Sequence, residues 1–223
     1  MKNYAVIVAG GSGSRMQSNQ PKQFLELDGK PILMHTLEAF ANGELDMHII
    51  LVLPADHIDT WQKLVSLLQF NIPHQITLGG ETRFNSVENG LKEIKGKGIV
   101  AIHDGARPLV TSGVIRRTVD QAKQSGNGIA AVQVKDSIRQ MKNGQSLAVD
   151  RSQFFSVQTP QTFDVDLIKR AFEQSQSNQF TDDASVAEAF GEKVELVEGS
   201  YDNLKITTPE DLIIAESILK KRK

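Results

Sequence analysis

The chain has 223 residues, with 25 Lys and Arg against 27 Asp and Glu, 39% hydrophobic residues and no Cys. A chain of this length buries about 70% of its unfolded surface without staples, and zero Cys excludes disulfides, zinc–thiolate sites, iron–sulfur clusters and thiol nucleophiles. The formal charge of −2 argues against a nucleic-acid or polybasic membrane binder, and no apolar run approaches the ~18 residues of a spanning helix, so a soluble cytoplasmic protein with no nucleic-acid or membrane partner is expected.

Along the chain, the apolar stretch within Met1 to Gly10 is too short for a signal peptide and predicts a first strand. Tyr4 to Val8, Ile49 to Leu53, Gln75 to Leu78, Ile99 to His103 and Ile129 to Val134 are short runs rich in β-branched residues, which predicts strands. Helical spacing fills the gaps. Pro31 opens one helix with Leu33, Leu37 and Phe40 on a face, and Ile58, Trp61, Leu64, Val65 and Leu68 mark a second. Val87, Leu91 and Ile94 mark a third, and Val114, Ile115, Val119 and Ala122 a fourth. This alternation predicts an α/β fold: a Rossmann-like, doubly wound, mostly parallel sheet with right-handed crossovers, in one domain spanning residues 1–223. Ligands of such sheets lie beyond the carboxyl ends of the strands. From about residue 135 to 158 the alternation lapses, and Asn143-Gly144 predicts a hairpin turn in a protruding β-arm. Helices resume at Val165 to Ser175, Thr181 to Phe190 and after Thr208, an N-cap followed by Pro209; Asn203 to Thr207 reads as a short strand. The terminal Lys220-Lys221-Arg222-Lys223 is a solvated helix end.

Chemistry concentrates in four places. Ala9-Gly10-Gly11-Ser12-Gly13-Ser14-Arg15-Met16, with Pro21-Lys22-Gln23 after it, directly follows the first strand. Its glycines let backbone N–H groups approach a phosphate, and Arg15 and Lys22 add positive charge. Neither a dinucleotide fingerprint nor a Walker A loop fits, because Met16 replaces the third glycine and no Gly-Lys-Ser/Thr follows. His103-Asp104-Gly105-Ala106-Arg107-Pro108 closes an apolar strand; Asp104 is either a foothold for Mg²⁺ or a turn cap, and Asp202 is a weak nominee for a second acid. His103 is more readily a satisfied strand-end residue than a ligand. Gly79-Gly80-Glu81-Thr82-Arg83 precedes a helix bearing Ser86, a context for anionic or polar groups, although Glu81 and Arg83 could simply pair with each other. Lys205 in an apolar stretch is either a cation for a substrate phosphate or an edge-strand gatekeeper.

These stretches, together with Val149-Asp150-Arg151, Gln158-Thr159-Pro160-Gln161, Thr181-Asp182-Asp183-Ala184-Ser185 and Asn203-Leu204-Lys205-Ile206-Thr207, resemble the signature of the 2-C-methyl-D-erythritol 4-phosphate cytidylyltransferase family of sugar-phosphate nucleotidyltransferases. The resemblance implies a nucleotide-diphospho-sugar transferase type of fold. It implies transfer of CMP from CTP to 2-C-methyl-D-erythritol 4-phosphate with release of pyrophosphate, Mg²⁺ as cofactor, and a homodimer clasped by the arm. It assigns Arg15, Lys22 and Lys205 to catalysis, and Ala9, Gly10, Gly11, Ser12, Gly13, Gly80, Glu81, Ser86 and Gly105 to the nucleotide. Arg107, Ser137, Arg151, Thr159 and Thr181 fall to the acceptor, and Asp104 to the metal. Two rivals stand beside this reading: a ribitol-5-phosphate cytidylyltransferase, and a nucleotide-binding module without turnover.

Overall fold

The computed structural model describes residues 1–11 and 20–222. Strand β1 (Lys2–Val8) is followed by a 3-10 turn at Lys22–Phe24 and a small hairpin of β2 (Glu26–Leu27) and β3 (Lys30–Pro31). Then come α1 (Ile32–Ala41), β4 (Met47–Leu53), α2 (Ala55–Leu67), β5 (Gln75–Leu78), α3 (Arg83–Lys92) and β6 (Gly98–Asp104). The second half runs through α4 (Ser112–Ser125), β7 (Asn127–Gln133), β8 (Arg139–Lys142), β9 (Gln145–Ala148), β10 (Phe155–Asp164), α5 (Val165–Glu173), α6 (Asp183–Ala189), β11 (Leu196–Glu198) and α7 (Pro209–Arg222). Among the described residues, seven strands form the main sheet in the order β11-β7-β10-β6-β1-β4-β5. All neighbouring pairs are parallel except those of β10, which runs antiparallel to both β6 and β7.

Period-two geometry sorts the central strands onto two faces. Val6, Ile50, Val52, Val100 and Ile102 point to one side and pack with Phe84, Val87 and Leu91 of α3 and with Ile168 and Phe172 of α5. The intervening Ala5, Ile7, Ile49, Leu51, Ile99 and Ala101 pack on the other side with Leu33, Leu37 and Phe40 of α1, Trp61 of α2, and Val114 and Val119 of α4. With both faces covered, β6 is buried at every position, and each buried Val, Leu, Ile or Phe contributes about 1.5–3 kcal/mol. A third, smaller cluster (Leu27, Ile32, Leu109, Ile206 and Ala215) seats α7 against the β2–β3 hairpin.

Three elements differ from the sequence reading. β10 has no sequence signal because its first three residues are exposed and its buried stretch carries Gln158, Thr159, Gln161 and Thr162, so neither an apolar run nor a clean alternation marks it. β11 is a three-residue edge strand, too short for a periodic signal. Asn203 to Thr207 is an extended loop rather than a strand; it is tied to the body where Ile206 N–H donates to the Ala106 carbonyl at 2.9 Å. The gatekeeper reading of Lys205 therefore lapses. Asn143 and Gly144, both in the left-handed region (φ 51° and 76°), form the two-residue turn between β8 and β9.

Close packing of α3 on the sheet depends on Gly90. A Cβ there would lie 2.5 Å from Val6 Cγ1 and 3.0 Å from Val52 Cγ2. Gly90→Ala is expected to destabilise the fold by about 1–3 kcal/mol despite the better helix propensity of Ala, and urea titration should show a lower midpoint with an unchanged slope.

Candidate active site

The chain leaves β1 toward β4 and β5 on one side, then returns to place β6 on the other, so the switch in strand order falls between β1 and β6. Val8, the last residue of β1, is in register with Asp104, the last residue of β6. The glycine turn after β1 and the carboxylate closing β6 therefore emerge side by side, where an open α/β sheet offers its crevice.

A cleft of about 350 Å³ opens there. Its walls are Val8 to Gly11, Lys22 and Gln23, Gly80 to Arg83 with Ser86, Asp104 and Ala106, and Lys205 with Thr207. Buried Gln23 fixes the departing backbone by donating Nε2–H to the Ala9 carbonyl at 2.7 Å. Lys22 Nζ donates to the Ile206 carbonyl at 3.0 Å, which ties the post-glycine segment to the loop carrying Lys205. At the start of α3, Ser86 Oγ accepts from Gly80 N–H (3.0 Å) and donates to the Thr82 carbonyl (2.9 Å), while Thr82 caps the helix by accepting from Asn85 N–H. Gly80 is obligatory in this turn, since a Cβ would meet Asn85 Cβ at 2.4 Å.

Asp104 is the electrostatic centre. Its side chain is 12% exposed and touches three cations: Lys205 Nζ at 2.9 Å, Arg107 Nε at 3.4 Å and Arg83 Nε at 3.5 Å. Burial alone would raise its pKa, but Arg83, Lys205 and Arg107 outweigh burial and hold the carboxyl well below the usual carboxylate range. Arg83 in turn grips Asp183 with both terminal nitrogens, at 2.9 and 2.7 Å. Burial works against the Arg83 charge, yet Asp183 and Asp104 together raise its pKa above the ordinary arginine value.

A second cleft of about 250 Å³ adjoins the first and shares Arg83, Asp104 and Lys205 as a common wall; it adds Arg107, Gln158, Thr159, Thr181 and Asp182. Thr159 reaches it because the pairing of β10 with β7 shifts register between Val157 and Gln161. Its Oγ1 accepts from Asp104 N–H (3.1 Å) and lies 3.0 Å from His103 Nδ1, while His103 Nε2 lies 3.2 Å from the Arg107 carbonyl. A neutral ring with hydrogen on Nε2 satisfies every contact: Thr159 donates to Nδ1 and Nε2–H donates to Arg107, a tautomer assigned from this network.

Of the expected site residues, the structure brings Ala9, Gly10, Gly11, Lys22, Gly80, Glu81, Ser86, Asp104 and Lys205 to the first cleft, and Arg107, Thr159 and Thr181 to the second. Ser12, Gly13 and Arg15 lie outside the described residues. Gly105 is buried and lines neither cleft; its N–H donates to the Val8 carbonyl (2.8 Å) and its carbonyl accepts from Thr36 Oγ1 (3.0 Å). Glu81 is an exposed rim residue, and Arg83 pairs with Asp183 and Asp104 instead of with it. Asp202 is exposed and faces Arg222 at 3.3 Å, which removes it as a second acid beside Asp104. Ser137 and Arg151 line neither cleft, and the Arg151 guanidinium bonds the Lys135 carbonyl. Arg83, Thr82, Gln23, Asp183 and Thr207 carry no assigned role from sequence although all five stand inside the motifs described above; the Arg83–Asp183 pairing spans 100 residues and leaves no local signal.

Fold and clefts together put the chain among the nucleotidyltransferases. A family model for 2-C-methyl-D-erythritol 4-phosphate cytidylyltransferase (IspD) matches residues 3–221. A Bacteroides fragilis protein of that name is 51% identical over 215 residues, covering 96% of this chain and 98% of that protein. One from Bacteroides thetaiotaomicron is 48% identical over 219 residues, covering 98% and 100%. Among solved structures, the 4-diphosphocytidyl-2C-methyl-D-erythritol synthase of Anaerococcus prevotii superposes with a TM-score of 0.85 at 31% identity, covering 98% of this chain and 96% of that one. The cytidylyltransferase of Thermus thermophilus gives 0.77 at 29% identity, covering 96% and 98%. The chain belongs to the 2-C-methyl-D-erythritol 4-phosphate cytidylyltransferase family.

Burial holds the His103 pKa down at about 3, against 6.5 in the unfolded chain. The unfolded state therefore binds a proton in a window where the native state does not, so stability is expected to fall as pH drops from about 6.5 toward 3, by up to about 1.4 kcal/mol per pH unit from this residue. Asp104, with its depressed pKa, adds its own loss only below about pH 3.8. His103→Asn should flatten the slope of unfolding free energy between pH 4 and 6 in urea titrations.

Proposed function

We propose that this chain transfers the cytidylyl group of CTP to 2-C-methyl-D-erythritol 4-phosphate. The observation that carries the reading is the wall of Arg83, Asp104 and Lys205 shared by two adjoining polar clefts, one opening on a glycine turn and the other on Arg107, Thr159 and Thr181. A donor triphosphate in the first cleft and an acceptor phosphate in the second would meet at that wall. A phosphate oxygen of the acceptor attacks the α-phosphorus of CTP, a new phosphoanhydride bond forms, and the bond to the β-phosphate breaks to release pyrophosphate. The attacking oxygen is already anionic, so no general base is required; the task is positioning and charge stabilisation. Lys22 and the N–H groups of Gly10 and Gly11 are suited to the triphosphate, and Lys205 and Arg107 to the acceptor phosphate. Arg15 is assigned to the donor side by the family motif alone. Glu81 and Ser86 border the base end of the first cleft, where Ser86 shapes the Gly80 turn.

Mg²⁺ fits this site in a restricted way. Among the described residues no group of three His, Cys, Asp or Glu could hold a metal, and Asp104 is a single carboxylate already faced by cations. Mg²⁺ commonly keeps one or two carboxylates and takes its other ligands from phosphates and water. Asp104 would therefore hold an ion that arrives on the triphosphate, where it would supply charge neutralisation.

The arm supports a homodimer. Met141, Leu147, Phe154, Phe155 and Val157 are large apolar side chains exposed along β8, β9 and the start of β10, and a lone hairpin is marginally stable in water. In this reading Arg151 and Ser137 serve the partner's acceptor cleft, which accounts for their absence from both clefts of their own protomer. No helix among the described residues is long and apolar enough to cross a membrane, and a cytoplasmic setting goes with substrates too highly charged to leave water.

Purified protein with CTP, Mg²⁺ and the methylerythritol phosphate should release pyrophosphate, and ribitol 5-phosphate should be a far poorer acceptor; the reverse preference, or no release with either, would sink the reading. Lys22→Met is expected to lower turnover by about 10²–10³ with its circular dichroism unchanged. Mixing Lys22→Met with Arg151→Ala subunits should restore activity, because a hybrid dimer then contains one intact site. Two variants that remain as inactive mixed as apart would place Arg151 outside the partner's site.

A further inference from the structure

Stability alone does not call for the Arg83–Asp183 pair, since a buried ion pair roughly breaks even against well-packed apolar residues. Asp183 is 1% exposed, and its carboxylate receives both terminal nitrogens of Arg83 at 2.9 and 2.7 Å, the two-point geometry that fixes a guanidinium plane. The grip is itself braced. Gln161 Oε1 accepts from the N–H groups of Asp183 (2.9 Å) and Ala184 (2.8 Å), and Gln161 Nε2 donates to Asp182 Oδ2 at 3.0 Å.

Held in this way, Arg83 directs its Nε–H at Asp104 Oδ1, 3.5 Å away, while Oδ2 takes Lys205 at 2.9 Å and Arg107 Nε at 3.4 Å. Lys205 needs such an anchor: its side chain is 40% exposed, and a lysine amine on four rotatable carbons has no preferred place of its own. Arg83 has spent its parallel fork on Asp183, so its influence on the reaction runs through Asp104.

We infer that Arg83, gripped by Asp183, is a positioning residue for cytidylyl transfer: it orients the Asp104 carboxylate on the shared wall and thereby sets where Lys205 stands between the two substrates. This rests on the two-cleft reading above. The chain Asp183–Arg83–Asp104–Lys205 starts at the first turn of α6 behind the second cleft, passes through Arg83 at the start of α3, and ends on the wall that both clefts share. A misplacement of about 1 Å at a reacting group costs on the order of 10²-fold in rate.

Asp183→Asn removes the charge and one acceptor while keeping the shape. It should lower kcat by about 10²-fold and leave KM for CTP within about twofold, because Asp183 does not line the first cleft and the Gly80–Ser86–Thr82 hydrogen bonds do not involve it; Asp183→Glu, which restores a carboxylate, should recover much of the loss. The losses of Asp183→Asn and Asp104→Asn should not multiply in the double variant, as befits two members of one chain of contacts. A folded Asp183→Asn protein with wild-type kcat, or losses that multiply, would overturn the inference. Should Asp183→Asn not fold, Arg83→Gln combined with Asp183→Asn leaves no buried charge unpaired and is read by the same criteria; failure of that variant to fold as well would assign the pair to stability and overturn the inference. Wild-type protein in the same assay separates the two ideas, since absence of pyrophosphate release there counts against the reaction and not against the positioning.

Discussion

Three cations around one nearly buried carboxylate would repel one another if that carboxylate were absent. At an effective dielectric of about 20, charges about 4 Å apart interact by about 4 kcal/mol, so Asp104 permits Arg83, Arg107 and Lys205 to stand assembled before any phosphate arrives. Preorganised charge of this kind costs no reorganisation when the reacting groups meet. The rest of the working end follows from where Asp104 must be: at the end of a fully buried strand, in register with Val8, with its N–H taken by Thr159 and its neighbour His103 kept neutral beneath it.

The scaffold that holds this carboxylate is conventional in its physics. Two apolar layers grip the sheet, and β1 and β6, whose ends place the glycine turn and Asp104 at the site, carry uninterrupted apolar runs. The loops at their ends carry the chemistry, and short backbone and side-chain bonds pin each loop: Gln23 to Ala9, Lys22 to Ile206, Gly79 N–H to the Leu53 carbonyl, and Arg107 to the Asn203 carbonyl. Rigid elements thus hand precision to irregular segments, which is what a reaction without a general base demands.

Much of this was legible in the amino-acid order. Central strands and their covering helices announce themselves through period and β-branched content, and Asp104 stood out as an acid closing an apolar strand before glycine. Lys205 was an anomaly in sequence and is one end of the charged wall in space. Illegible were the features that depend on distant partners. Arg83 looked like a helix-start charge beside Glu81 until folding brought Asp183, 100 residues away, against it. Gly105 reads in sequence as part of a ligand loop, and the packing that a Cβ there would disturb, 3.0 Å from that of Ala9, leaves no local signal. β10 escaped notice because its buried half is polar, and those polar groups are the ones that serve the second cleft.

β10 also starts outside the body and ends within it. Phe155, Ser156 and Val157 are exposed at the root of the arm, whereas Gln158 and Thr159, the next residues along, bond Ser200, His103 and Asp104. The register shift between Val157 and Gln161 lies where the exposed stretch meets the buried one, so a single strand, bent at that shift, gives the arm its root and the second cleft its floor.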